Sequence, residues 1–209
     1  GGRGEGGGGH AGDRVVRRPE TRDVRVHIYG PLEARLQTAD LFVLGGLNEA
    51  GRSVRWAVTA DRIGFIAIYG WDNPDVPLRC QEALEQMRGT RGLIVDVRLN
   101  GGGSEPQAGQ FAGRFLPKEF IYASSQFRNG PSHTNLTQKY ERKVAPRGPW
   151  RYDRPVVLLI GQKCMSSNES FIAMMSGDPA VTTMGDHTSG SSGNPKIVNL
   201  PLDMTVSVP

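Results

Sequence analysis

Pro155-Val156-Val157-Leu158-Leu159-Ile160 leads through Gly161 and Gln162 into Lys163-Cys164-Met165-Ser166-Ser167-Asn168-Glu169-Ser170-Phe171, and then into Ile172-Ala173-Met174-Met175. The first run is continuously apolar and short, as a strand buried on both faces would be. The last has the apolar spacing of a buried helix. Ser166 and Ser167 therefore fall where a strand turns into a helix. That junction suits a nucleophile: the first N–H groups of a helix have no partner within it, and its dipole favours negative charge there. The same residues also admit a plainer reading, in which Ser166 or Ser167 caps the helix and Glu169 completes a capping box.

Two further stretches weigh on that choice. Gly92-Leu93-Ile94-Val95-Asp96-Val97-Arg98-Leu99-Asn100-Gly101-Gly102-Gly103 is a buried strand running into a glycine turn, and Gly185-Asp186-His187-Thr188-Ser189-Gly190 is a turn after the strand-like Ala180–Met184. A strand ending in Asp-x-Arg-x-Asn-Gly-Gly-Gly, then Ser-Ser-Asn-Glu in place of Ser-Ala-Ser-Glu or Ser-Ala-Ala-Glu, then Gly-[Glu/Asp]-x-Thr-x-Gly, resembles the tail-specific (C-terminal processing) serine proteases. The tricorn-core and interphotoreceptor retinoid-binding-protein-like branch is the most similar. The run Val144–Pro155 also resembles that branch, and the resemblance extends from about Arg62 onward.

The resemblance implies an α/β fold of the ClpP/crotonase-like type, a spiral of β-β-α units with a mainly parallel core sheet. It implies hydrolysis of peptides or flexible polypeptide ends through an acyl-enzyme on Ser166, which lies three residues before the glutamate; Ser167 is the next choice and Cys164 the third. Two converging N–H groups are needed for the oxyanion, and the resemblance supplies them from the Gly101-Gly102-Gly103 turn and from Ser167. Glycine suits this role because a substrate carbonyl must approach bare backbone. Asp96 and Arg98 are expected to hold the turn by pairing.

The base is read by the same route. Classical members place a lysine directly after Gly-x-x-Thr-x-Gly; here that residue is Ser191, with Lys163 and Lys196 elsewhere. The tricorn-like branch uses an upstream histidine, which His10 in Gly9-His10-Ala11-Gly12 matches in part. His187 is its rival, while His133 reads as a loop residue and His27 as a strand residue. The orienting carboxylate is then expected beyond residue 209. Two alternatives stand beside a peptidase: a non-catalytic domain of the same fold that binds a peptide or apolar ligand, and a crotonase-type acyl-thioester enzyme.

Composition sets wider bounds. A chain of 209 residues can bury one substantial core. We divide it into a glycine-rich loop and small β region over 1–60, and the protease-like core over 61–209. No run is long enough for a membrane span. A net charge of +4 from scattered arginines gives no nucleic-acid site. Two cysteines make no disulfide framework, and no His/Cys spacing suggests a metal or other cofactor. The expected partner is a peptide or protein substrate, with a homo-oligomer left open. The resemblance alone points to an exported or periplasmic protein.

Among the elements, strands are expected at Val24–Tyr29, Leu41–Leu44, Val54–Val58, Ile63–Tyr69 and Phe120–Ala123, with a short helix over 32–38. A helix opened by Pro77 turns Leu78, Ala83, Leu84 and Met87 inward, and a second spans 105–116. Residues 129–154 read as a long surface excursion, and the Gly45-Gly46 and Ala50-Gly51 pairs as turns.

Overall fold

The computed structural model describes residues 26–27, 41–42, 48–50, 53–193 and 195–208. The chain divides by contacts into two units, Gly1–Val43 and Leu44–Pro209. In the first, β1 (Val26–His27) pairs in parallel with β2 (Leu41–Phe42). The 32–38 helix and the glycine-rich start fall outside the described residues.

The second unit is built on a sheet of six strands. In chain order its strands are β3 (Asn48–Ala50), β4 (Val54–Val58), β5 (Ile63–Ile68) and β6 (Gly92–Asp96). A hairpin of β7 (Phe120–Ser125) and β8 (Tyr140–Val144) follows, outside this sheet, and then β9 (Val156–Ile160) and β10 (Val181–Gly185) complete it. Their order in space is β10-β9-β6-β5-β4-β3. β5, β6, β9 and β10 are mutually parallel; β3 and β4 add an antiparallel edge. Thus β3 and β4, which the sequence suggested belonged to a small N-terminal region, pair within the core sheet.

Three helices connect the parallel strands: α1 (Val76–Gln86), α2 (Glu105–Ala112) and α3 (Ser167–Met175). Each parallel strand is laid down beside the previous one in the same direction. Right-handed crossovers then put all three helices on one face, and α1 packs on α2 and α2 on α3. Between the helices lies an aromatic cluster. Trp71 sits 4.8 Å from Phe171 and 6.5 Å from Phe111, and Phe111 makes an edge-on contact with Phe115 at 5.1 Å.

Several elements differ from expectation. Leu78 is 56% exposed, not inward; the buried face of α1 is Val76, Cys80, Ala83 and Leu84, and Leu78 lies about 200° round the helix from Val76. α2 ends at Ala112, where Arg114 and Phe115 donate to Phe111 and Ala112 in a tighter turn, although Phe115 and Leu116 stay buried. Within the supposed excursion, Tyr140–Val144 pairs antiparallel with Phe120–Ser125 through a bulge between Ile121 and Ala123. β11 (Lys196–Asn199) and β12 (Thr205–Val208) form a further hairpin turned by Leu202 and Asp203 at positive φ.

Candidate active site

Three loops leave the carboxyl ends of three neighbouring strands, β6, β9 and β10, and meet. A crevice beyond those strand ends is where open parallel sheets place their sites.

The β9 loop brings Ser166 to the start of α3 with φ 55 and ψ −129. A side chain in this backbone region is strained by about 1–3 kcal/mol, so the surroundings must impose it. They do so from several sides. The Ser166 N–H donates to the Ser191 carbonyl at 2.5 Å, and the Ser166 carbonyl accepts from Glu169 N–H at 2.9 Å. The Cys164 thiol is buried, donates to the Val97 carbonyl at 3.1 Å and accepts from Gly161 N–H at 3.4 Å. Burial pushes this thiol above its ordinary pKa, so Cys164 anchors the loop as a neutral group and is a poor nucleophile.

The capping-box reading does not hold. Neither serine hydroxyl caps α3. The Glu169 carboxylate instead reaches across to the β10 loop, accepting from Thr188 Oγ1 at 2.7 Å, Ser189 Oγ at 3.4 Å and Ser191 N–H at 3.2 Å. The Ser167 hydroxyl is committed to the Gly103 carbonyl. Ser166 Oγ has no hydrogen bond among the described residues, and neither does the Ser167 N–H at the first helical position. The two serines therefore differ in kind: one hydroxyl is fixed, the other available.

The β6 loop supplies the glycine turn. Gly102, at φ 106, lies so close that a Cβ there would sit 2.7 Å from Ser166 Cβ and 3.1 Å from Ser167 N. Only glycine fits. Its own N–H donates to Asn100 Oδ1 at 2.9 Å, whereas the Gly101 and Gly103 amides have no acceptor among the described residues. Asp96 and Arg98 pair at 2.7 Å, as expected, and Asp96 Oδ1 also accepts the Arg98 N–H.

One residue that the sequence did not single out joins these loops. Asn168 is fully buried in the first turn of α3. Its Nδ2 donates to the carbonyls of Val97 and Asn100, both at 3.2 Å, and its Oδ1 accepts the Trp71 indole N–H at 3.2 Å. The glycine turn, the nucleophile loop and the aromatic core thus share one amide. The signal was thin: an asparagine after two serines reads as a helix start.

The remaining candidates make no hydrogen bond to Ser166 among the described residues, or are undescribed. His187 is well exposed beside Asp186, its Nδ1 3.4 Å from Asp186 Oδ1. Lys163, Lys196 and His133 are exposed, and His27 lies in β1. His10 lies outside the described residues. No group of three His, Cys, Asp or Glu among the described residues could hold a metal ion, and no described helix is long and apolar enough to cross a membrane.

Comparison with known proteins agrees with this architecture. A candidate peptidase from Parabacteroides merdae ATCC 43184 superposes with a TM-score of 0.68 at 30% identity, over 75% of this chain and 50% of that one. Mature CPAF, solved with lactacystin, gives 0.61 at 13% identity over 78% and 47%. The photosystem II D1 C-terminal processing protease gives 0.51 at 20% over 73% and 38%. The chain therefore spans half or less of the length of these structures. No curated protein sequence matches it. The Peptidase family S41 profile matches residues 62–209, and with the parallel α/β spiral and the motif-bearing loops described above, the chain belongs to Peptidase family S41, the tail-specific protease family its motifs resemble.

Proposed function

We propose that the chain carries the acyl-enzyme centre of a serine peptidase acting on peptides or flexible polypeptide ends. The observation that carries this reading is Ser166: a strained residue at a strand-to-helix junction, against the Gly102 turn, its hydroxyl and the neighbouring Ser167 amide both without a hydrogen-bond partner among the described residues. Strain of this kind also marks the nucleophile elbow of other serine hydrolases.

In the reaction, Ser166 Oγ attacks the scissile carbonyl while a base removes its proton. The developing oxyanion is held by the Ser167 N–H and by an amide of the Gly101–Gly103 turn; for Gly102 to contribute, Asn100 Oδ1 must release it. The amine leaves with a proton returned by the base, and water then hydrolyses the ester by the same steps in reverse roles. We assign the base to His10, with His187 as rival, because Ser191 occupies the position where a lysine would stand. A histidine base gives activity that rises through about pH 6–7, following an imidazole pKa near 6.5.

Labelling with a serine-directed fluorophosphonate, followed by peptide mapping, tests the proposal: adduct on Ser166 that is lost in Ser166→Ala is expected. A second reading, a peptide-binding domain without hydrolysis, is favoured by the absence of a base hydrogen-bonded to Ser166 Oγ among the described residues. An unlabelled chain that still binds peptide would select it. Labelling at Ser167 or Cys164 would overturn the assignment of Ser166.

A further inference from the structure

α1 and α2 lie side by side, and the furrow between them opens as a cavity of about 600 Å³. Gln107, Gln110, Phe111 and Arg114 line it from α2 and the turn that follows, at positions i, i+3, i+4 and i+7, which form one stripe of a helix. Gln81 faces them from α1, and Arg147 comes from the segment after β8. The Gln107 amide nitrogen donates to the carbonyls of Asn73 and Trp71 at 2.8 and 2.9 Å. The Trp71 carbonyl also accepts the Ser104 N–H at 3.2 Å. The furrow therefore starts beside the glycine turn and runs away from it.

Its charge is one-sided. No acidic side chain lines it among the described residues. Arg114 is 5% exposed, and its Nη2 has no hydrogen-bond partner among the described residues. Its Nε reaches only the Trp150 carbonyl, at 3.3 Å, and its guanidinium stacks on the Trp150 ring at 4.9 Å. The neighbouring carboxylate, Glu85, is held by Arg88 at 2.7 Å and by the Trp150 indole at 2.7 Å. Burial lowers the pKa of Arg114, the sign of a cation short of compensation. Arg147 is exposed and has no acidic partner among the described residues.

We propose that this furrow binds a short acidic segment of polypeptide, its carboxylate meeting Arg147 within the field of Arg114. The distance from Gln107 to Arg114 is about 10 Å along the helix axis, the reach of about three extended residues. The Gln81 and Gln110 amides offer both donors and acceptors, as a peptide backbone requires, Gln107 keeps its oxygen as an acceptor, and Phe111 gives an apolar floor. A small inorganic anion would use the arginine end alone. The inference rests on the peptide-substrate part of the reading above, but not on its chemistry, so its test uses a chain that cannot cleave.

The Ser166→Ala chain is titrated by fluorescence anisotropy with a fluorescein-labelled hexapeptide carrying Glu-Asp-Glu at its centre, and with the Gln-Asn-Gln counterpart. The acidic peptide is expected to bind about tenfold tighter, a single well-placed charge pair. Arg147→Glu should remove that preference and Arg147→Lys should keep most of it, while Lys118→Glu, an equal change of net charge at another exposed site, should leave it intact. If Arg147→Glu melts early, Arg147→Gln gives the same readout without a new charge. Equal binding of both peptides, an unchanged preference in Arg147→Glu, or an equal loss in Lys118→Glu would overturn the proposal. Displacement of the peptide by inorganic phosphate at its own binding strength would reduce the furrow to a small-anion site and overturn it likewise. Fluorophosphonate labelling of Ser166 in the unsubstituted chain is read separately and does not depend on these outcomes.

Discussion

The two loops that flank Ser166 are held by different chemistry. On the β6 side, the glycine turn is locked from below by Asn168, itself fully buried and bonded to Trp71, Val97 and Asn100. On the β10 side, residues 186–191 are held by one half-buried carboxylate, Glu169, by the Gln162 amide donating to Asp186, and by three backbone bonds, Asp186 N–H to Ile160, Ser189 N–H to Cys164 and Ser166 N–H to Ser191. The side that would hold an oxyanion is set into the core. The side where the family's lysine would stand is polar and exposed. The two loops are thus held by different residues.

The sharpest way to break this comparison is at Ser166 itself. Ser166→Ala should reduce peptide hydrolysis on the order of 10⁴-fold or more, with a melting temperature close to the parent, because alanine meets the same backbone strain. Ser167→Ala should cost about tenfold, since its N–H survives and only the bond to the Gly103 carbonyl is lost. Steady-state kinetics on a fluorogenic peptide reads both, and equal losses would show that the two serines are not distinct in role.

Next comes the buried amide. Asn168→Ala leaves the Asn100 carbonyl and the Trp71 indole without a partner among the described residues, while the Val97 carbonyl keeps the Cys164 thiol and the Asn100 N–H; this should cost about 3 kcal/mol at urea unfolding. Trp71→Phe removes one of those bonds and also leaves a cavity where the larger indole was fully buried, so it should cost at least as much. A mild Asn168→Ala phenotype would mean that the β6 side is not anchored in the core after all.

How much of this could be read beforehand follows the same division. β5, β6 and β9 were legible because strands in the middle of a parallel sheet have nearly continuous apolar sequences; β10, an exposed edge strand, was legible from its β-branched Val181-Thr182-Thr183. Tyr140-Glu141-Arg142-Lys143 was not, because an edge hairpin takes its stability from pairing and from Arg142 bonding Glu105, not from its own hydrophobicity. Asn48–Ala50 was missed for the same reason. Ser166 could be placed by its position between strand and helix, whereas the true partners of Glu169 lie about twenty residues further on, where spacing gives no hint. Asn168 looked polar and superficial, because nothing local tells that the indole of Trp71, 97 residues earlier, will donate to it.

A smaller change probes the β10 side. Glu169→Gln keeps an acceptor for Thr188 but loses the charge that gathers three donors, so it should cost about 1 kcal/mol of stability. Amide exchange should quicken at Ser189 and Ser191 more than at Gly102. Comparable quickening at all three would show that the two loops move as one.

The least effect is expected from acid, and it tests the β6 side through α2. Glu105 opens that helix directly after the glycine turn, and its carboxylate binds Arg142, Tyr122 and Ser170. Partial burial by itself would raise its pKa, but the hydrogen bonds from Arg142 and Tyr122 outweigh burial and hold the group below its ordinary value. A carboxyl lowered on folding contributes stability above its unfolded value, near 4.3, and loses it as the pH falls through the folded value. The chain should therefore lose stability below about pH 4.3, by under about 1 kcal/mol from this group, since its side chain is 27% exposed and screened by solvent. In Glu105→Gln the starting stability is lower and this part of the acid loss is absent. Melting curves from pH 6 to 3 separate the two chains: parallel curves would mean that Glu105 does not tie α2 to the hairpin, and that the glycine turn is steadied by Asn168 alone.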